Sequence, residues 1–162
     1  PVVDSTITWS SQSPFPTPGY IFKYTALRQT MGRGSHGRHW ISEDGGLYLS
    51  YQFLINGICR QSPLRRLLDV VVRELSCFKL DVRIKQPNDL LLEERKFMGV
   101  IAHQECIAGD TYLTLSVGLN VSQKDLPPQF TSLNQYTNVE PIVIEQLIDK
   151  CIIEIYNSMG AF

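Results

Sequence analysis

Two stretches of this chain carry apolar residues at helical spacing, and nearly everything else alternates or turns. From about residue 62 to 78, Leu64, Leu67, Leu68, Val71, Leu75 and Phe78 fall on one face, with Arg65, Arg66, Asp69, Arg73 and Glu74 mostly away from it. Ser62 is placed to cap that helix and Pro63 suits its first turn. From about 141 to 159, Ile144, Leu147, Ile148, Cys151, Ile152 and Ile155 repeat the pattern, and Gly160 suits a C-cap. Between them, residues 82–85 read as a strand ended by Pro87. Residues 90–92 and 97–103 read as a hairpin turning at Glu93-Glu94-Arg95, and 112–117 as a further strand. Residues 20–27 and 47–54 supply two more strands, and the proline-rich stretch 10–19 between the amino terminus and the first of them reads as a loop. The pattern predicts an α+β domain: a mixed, largely antiparallel sheet with helices on one face.

Composition narrows the function classes. The 162 residues suit a single domain spanning 1–162. The formal net charge of −1 does not suggest a nucleic-acid or membrane-surface binder. No apolar run reaches the ~18 residues of a transmembrane helix, and no secretory or transit segment is visible. Cys59, Cys77, Cys106 and Cys151 are scattered without a CxxC pair. Reduced thiols and a cytoplasmic location are the expectation.

Residues 28–39 hold three glycines and three arginines and cannot sustain a helix or a regular strand. Gly32-Arg33-Gly34-Ser35-His36-Gly37-Arg38-His39-Trp40 suits a loop that closes over phosphate, through close backbone approach, free amides and guanidinium forks. The spacing is neither a Walker loop nor a dinucleotide fingerprint. A solvated basic loop fits the composition equally well.

Lys85-Gln86-Pro87-Asn88-Asp89 and Arg95-Lys96-Phe97-Met98-Gly99 form the second constellation. A strand-end lysine can balance developing phosphate charge, and an aspartate past Pro87 can hold magnesium with nucleotide oxygens. Asn88 and Asp89 are expected on an exposed turn. Taken alone, these residues fit a plain hairpin better. Gly118-Leu119-Asn120-Val121 closes a strand. His36, His39 and His103 lack the companions a metal site needs, and no GxSxG nucleophile motif is present.

In order and spacing, Asp4-Ser5-Thr6, Gln29 before Gly32-Arg33-Gly34, the run at 45–50, Lys85-x-Pro-Asn-Asp, Arg95-Lys96-x-x-Gly99 and Gly118-Leu119-Asn120-Val121 resemble the catalytic domain of biotin–protein ligases. The resemblance spans essentially the whole chain. It implies a fold like that of class II aminoacyl-tRNA synthetases and an ATP-dependent ligase. Biotin is activated to biotinyl-5′-AMP, then passed to a lysine of a biotin carboxyl-carrier domain. By motif position, Ser5, Thr6 and Gln29 are implied to hold biotin's ureido end. Gly32, Gly99, Ile101 and Gly118 are implied to line its pocket. Arg33 and Lys96 are the implied catalytic cations. Arg33, Ser35, Arg38, Trp40, Lys85, Asn88, Asp89 and Asn120 are implied to face ATP, with Asp89 holding Mg2+. No nucleic-acid or membrane partner is implied, and exposed sheet edges permit a homodimer.

The chain departs from the family pattern in four places. Ser35 stands where the pattern GRGRxGR has an arginine that helps retain the adenylate, leaving Arg38 or His36 to compensate. Gln86 replaces a tryptophan. Ile7 replaces an asparagine, and the proline-rich stretch behind it is expected to replace a helix. The small C-terminal β domain and an N-terminal DNA-binding domain are expected to be absent. These departures keep open a binding module without efficient turnover that regulates a full-length ligase. A lipoate or octanoate transferase shares the fold, but its RRxxGGG-type motif is missing.

Overall fold

The computed structural model describes residues 1–57 and 62–159. The chain opens with β1 (Val2–Val3), α1 (Thr6–Gln12), β2 (Ile21–Ala26) and β3 (Arg28–Gln29). Then come β4 (Gly46–Ile55) and α2 (Pro63–Leu75), which tightens into a 3-10 turn over Ser76–Phe78. β5 (Val82–Lys85), β6 (Asp89–Leu92), β7 (Arg95–Ile107) and β8 (Asp110–Asn120) precede α3 (Pro141–Ser158). Six strands form one antiparallel sheet in the order β2-β4-β8-β7-β6-β5, while β1 and β3 pair in parallel beside it. This is the α+β architecture expected from the periodicities.

Strand alternation divides the labour of the sheet. In β4, Leu47, Leu49, Tyr51, Phe53 and Ile55 point into the main core, as do Leu113, Leu115, Val117 and Leu119 of β8. The buried stripes of α2 and α3 complete that core, with Leu67, Leu68, Val71, Ile144, Ile148 and Ile155 inside it. Each such side chain contributes about 1.5–3 kcal/mol on burial. The intervening residues face the other way. Ser50 meets Thr6 of α1, and Tyr48 packs with Ala26 and Trp40 in a separate small cluster. Helices therefore cover both faces, not one: α2 and α3 the apolar face, α1 the polar face.

Lys23 on the edge strand β2 ties that edge to α3 through Glu145 at 2.6 Å and Asp149 at 2.8 Å. The buried Tyr51 hydroxyl donates to Asp149 from below at 2.6 Å. Burial pulls the Lys23 ammonium down, but its hydrogen bonds to Asp149 and Glu145 outweigh that and leave it raised.

Several expectations are corrected. Residues 10–12 end a helix instead of opening a loop, and a helix does follow Asp4-Ser5-Thr6. Its sequence, TITWSSQ, is a poor helix former. It persists because Ser5 Oγ accepts the Ile7 amide, Ser10 and Ser11 bond back to carbonyls, and Thr6 and Ser10 are buried against the sheet. The hairpin turn is only Glu93-Glu94, with φ of 46° and 63°, and Arg95 already belongs to β7. Such a two-residue turn with both φ positive matches strand twist. At its other end β7 runs to Ile107, beyond the expected end at 103. β8 is likewise longer than 112–117, because Ala108 and Gly109 turn tightly at φ 52° and 94°. Gly160 lies outside the described residues, and Met159 caps α3.

Cys77, Cys106 and Cys151 are free thiols, whereas Cys59 lies outside the described residues. Burial pushes the Cys151 thiol up to about 12. It therefore stays protonated at pH 8, and the thiolate is the reactive form. Iodoacetamide at pH 8 is expected to label exposed Cys77 and Cys106 while sparing Cys151. Peptide mass mapping checks this, and labelling of Cys151 at the rate of Cys77 contradicts it.

Candidate active site

The register of the central strands sets up the site. Gly99 of β7 pairs with Gly118 of β8, leaving a patch of bare backbone on the polar face of the sheet. The Trp40 indole lies on that patch. A Cβ at Gly118 would come 2.6 Å from Trp40 Cε2, and one at Gly99 would come 3.0 Å from Cζ3. The Lys96 side chain crosses the same glycine, and its Nζ stands 4.9 Å from the centre of the Trp40 ring. Phe130 meets that ring edge-on at 6.2 Å. Trp40 Nε1 is buried and has no hydrogen-bond partner among the described residues. A buried unmatched donor costs about 1–3 kcal/mol, which a ligand acceptor would relieve.

Trp40 anchors the glycine loop. The Trp40 amide donates to Gly32 O at 2.8 Å and the Gly34 amide to Arg38 O at 2.7 Å, making a short hairpin in which Arg33 opposes His39. Gly32 crosses so close beneath Trp40 O and Ser42 Oγ that no side chain fits there. At the tip, Arg38 folds back on Ser35, with Nη2 2.7 Å from Ser35 Oγ and Nε 3.1 Å from its carbonyl. The segment expected as a long loop is thus a closed hairpin with a 3-10 turn at its end.

Three recesses adjoin Trp40. The first, of about 390 Å³, runs between the loop and the glycine patch and is lined by Thr6, Gln29, Arg33, Gly99, Ile101 and Gly118, among others. The second is a polar trough of about 720 Å³ that includes Arg38, Lys85, Asp89 and Glu94. Gly34, Ser35, Trp40 and Lys96 border both. A small third recess lies between Trp40, Asn120, Leu126 and Phe130.

Lys96 is the most constrained cation at the junction. Its Nζ pairs with Asp89 at 2.6 Å, with both side chains largely shielded. Its amide donates to Gln129 O at 3.0 Å, and its carbonyl accepts the Thr131 amide at 2.9 Å. Arg33, by contrast, is exposed and makes no hydrogen bond or ion pair among the described residues. Behind the loop, burial pushes the Tyr48 phenol upward, so it stays protonated and donates to Glu43 O at 2.6 Å.

Most of the residues singled out from sequence converge here. Ser5 and Gly32 border none of the three recesses: Ser5 is buried with its hydroxyl accepting the Ile7 amide at the cap of α1, and Gly32 serves as a close crossing. Asn88 does lie on the turn after Pro87 but is not exposed there, and Asp89 already opens β6, half-buried. Asn88 is buried, borders the first recess, and donates from Nδ2 to Val100 O at 3.0 Å. Asn120 is held by Thr131 O and Gln123 Nε2, both at 3.1 Å. Sequence reasoning missed Ser116, Phe130 and Gln129. Ser116 could have been found: it stands two residues before Gly118 on one strand and so shares its face. Among the described residues, no three His, Cys, Asp or Glu side chains could hold a metal by themselves. No helix among them is long and apolar enough to cross a membrane.

A model of the Biotin/lipoate A/B protein ligase family matches residues 1–122. The chain is 34% identical over 103 residues to the bifunctional ligase/repressor BirA of Escherichia coli, covering 59% of this chain and 32% of that protein. It is 30% identical over 118 residues to the biotin–[acetyl-CoA-carboxylase] ligase of Mycobacterium tuberculosis, covering 67% of this chain and 43% of that one. It spans about a third of the length of the BirA proteins it matches. Among solved structures, a biotin protein ligase from Aquifex aeolicus in complex with biotin and ATP aligns with a TM-score of 0.74 at 28% identity. That alignment covers 98% of this chain and 70% of the other. A bi-partite lipoate protein ligase from Thermoplasma acidophilum, at 16% identity and TM-score 0.61 over 81% of this chain and 57% of that one, shares the fold.

The glycine floor makes a direct prediction. Gly118→Ala drives a methyl into the Trp40 ring, and overpacking of this kind costs about 1–3 kcal/mol. Denaturant unfolding should show that loss together with a shifted tryptophan emission. Unchanged stability and emission would mean that Trp40 does not rest on Gly118.

Proposed function

The chain belongs to the biotin/lipoate A/B protein ligase family, and on that premise we propose that it activates biotin with ATP and transfers it to a lysine of a biotin carboxyl-carrier domain. The observation that carries this reading is the meeting of two recesses at Lys96, Trp40, Gly34 and Ser35. The first recess, with Thr6 and Gln29 along it, suits biotin. The trough, with Lys85, Asp89 and Arg38, suits the nucleotide. Ser35 and Trp40 border both, and Asn120, in the small recess beside Trp40, completes the nucleotide side.

In the first half-reaction a biotin carboxylate oxygen attacks the α-phosphorus of ATP, and the bond to pyrophosphate breaks. Two anions must approach one another, so the protein's task is charge neutralisation and alignment more than proton transfer. Lys96, fixed by its backbone bonds, and Arg33, free to swing in, supply the charge at the junction. In the second half-reaction the carrier lysine amine attacks the acyl carbon, AMP leaves, and the amine gives up a proton. The closed hairpin over the junction limits water around the mixed anhydride. Magnesium travelling with the nucleotide needs only one or two protein carboxylates. Asp89 fits that need, and Mg2+ there would neutralise phosphate charge.

Pyrophosphate release with MgATP is expected with biotin and not with lipoate or without an acid. Lys96→Ala should abolish that release, with circular dichroism reporting a retained fold. Release supported by lipoate alone would replace biotin as the substrate, and near-normal turnover in Lys96→Ala would remove Lys96 from catalysis.

A second reading, a binding module with poor turnover, is favoured by Ser35, which presents a short hydroxyl held by Arg38 instead of a free guanidinium. Biotin binding without pyrophosphate release would select it. On the ligase reading, Ser35→Arg adds a charge-assisted donor beside the phosphate. Dissociation of biotinyl-5′-AMP, followed by stopped-flow fluorescence, should slow about tenfold. An unchanged rate would exclude Ser35 from adenylate retention.

A further inference from the structure

The polar face of the sheet behind the first recess carries a continuous chain of side-chain hydrogen bonds. Gln29 Oε1 accepts the Thr6 amide at 2.8 Å, and because a backbone N–H can only donate, the orientation of the Gln29 amide is fixed. Oε1 then also faces the Thr6 hydroxyl at 3.4 Å. On its other side, Gln29 Nε2 donates to Ser42 Oγ at 2.8 Å, and that hydroxyl donates to Trp40 O at 3.0 Å. Deeper in, Ser50 Oγ donates to Thr6 Oγ1 at 2.9 Å. Ser50 lies 2.8 Å from Ser116 Oγ and is fully buried.

A hydroxyl has one proton, and this decides the polarity of the chain. Ser50 spends its proton on Thr6, so Ser116 must donate to Ser50. Thr6 spends its own on Gln29. Ser116 and Thr6 both border the recess, and neither has a proton left to offer a ligand. Their remaining lone pairs are all they present. Ser50 never reaches the recess, yet it dictates what Ser116 shows there.

We propose that the Ser116–Ser50–Thr6 chain, anchored on Gln29 Oε1, locks the two hydroxyls on this wall of the recess as hydrogen-bond acceptors, while the Gln29 amide keeps one N–H beyond the one it gives to Ser42. Ser116 is then a specificity-determining residue for ligands with N–H donors, and Ser50 is the positioning residue that sets its polarity. The inference rests on the biotin reading, since the cyclic urea of biotin carries two N–H groups, whereas the dithiolane of lipoate carries none. A wall built to accept N–H groups rejects a ligand that brings a lone pair, because two acceptors are left facing one another.

The test uses calorimetric titration of the full chain with biotin and with its two carbamate analogues, in which one or the other ureido N–H is replaced by oxygen. Wild-type protein should bind at least one carbamate about a hundredfold more weakly than biotin. Ser116→Ala should weaken biotin by about tenfold and reduce the discrimination by a similar factor. Ser50→Ala frees the Ser116 proton, so discrimination should also fall although Ser50 touches no ligand. A merely structural role for Ser50 would lower both affinities together and leave their ratio unchanged. Circular dichroism and melting temperature report folding, and Ser116→Ala decides alone if Ser50→Ala does not fold. Carbamates bound as tightly as biotin by the wild type, or a ratio unchanged in the folded variants, would overturn the inference while leaving the ligase reading intact. Failure of the wild type to bind biotin would overturn both.

Discussion

The site depends on one steric fact: two glycines, Gly99 and Gly118, stand opposite each other on neighbouring strands. Only their missing side chains let an indole lie flat on a sheet. Trp40 then ties the glycine hairpin to the central strands and roofs the junction between the recesses. Lys96 uses the same gap, running across Gly99 to reach Asp89 on one side and the Trp40 ring on the other. The face of an aromatic ring attracts a cation, by about 0.5–2 kcal/mol depending on exposure. The floor, the roof and the lysine therefore form one unit, and each holds its place because the others do.

The two faces of the sheet divide folding from function. Slipping β8 by one residue would turn Leu115 and Val117 toward the recess and Ser116 and Gly118 into the core. The apolar face opposes such a slip, because most of the buried area lies there under α2 and α3. The polar face could not specify the register by itself. Its hydroxyls need partners at set distances, and α1 supplies Thr6 only once the register is correct. Stability generated on one side of the sheet thus holds a hydrogen-bond pattern on the other.

Legibility in the sequence followed locality. α2 and α3 could be read because their stripes and starting residues lie within a few turns, and Ser62 does cap α2 by accepting the Arg65 amide at 3.3 Å. The glycine and lysine motifs were visible because close backbone approach requires glycine wherever it occurs. α1 was hidden, since its residues favour other conformations and it exists through burial against the sheet. β1 and β3 were hidden because each is two residues long and finds its partner across the whole of α1 and β2. The role of Ser116 depends on Ser50, 66 positions earlier, so no local pattern could reveal it.

The cations around the junction differ in readiness, and that difference bears on how anions are received. Arg38 is committed to Ser35, and Lys96 to Asp89, whereas Arg33 has no partner among the described residues. A shielded ammonium without its carboxylate would carry a desolvation penalty of several kcal/mol, so the Asp89 pair is what allows Lys96 to wait inside the recess. An arriving carboxylate and phosphate can replace Asp89 as the lysine's partner, provided that Asp89 finds another positive charge. On the proposed ligase reading, a divalent cation carried by the nucleotide would suit that exchange, because it would bring positive charge to Asp89 as the phosphates brought negative charge to Lys96. On that reading the pair would keep both groups satisfied before and after binding.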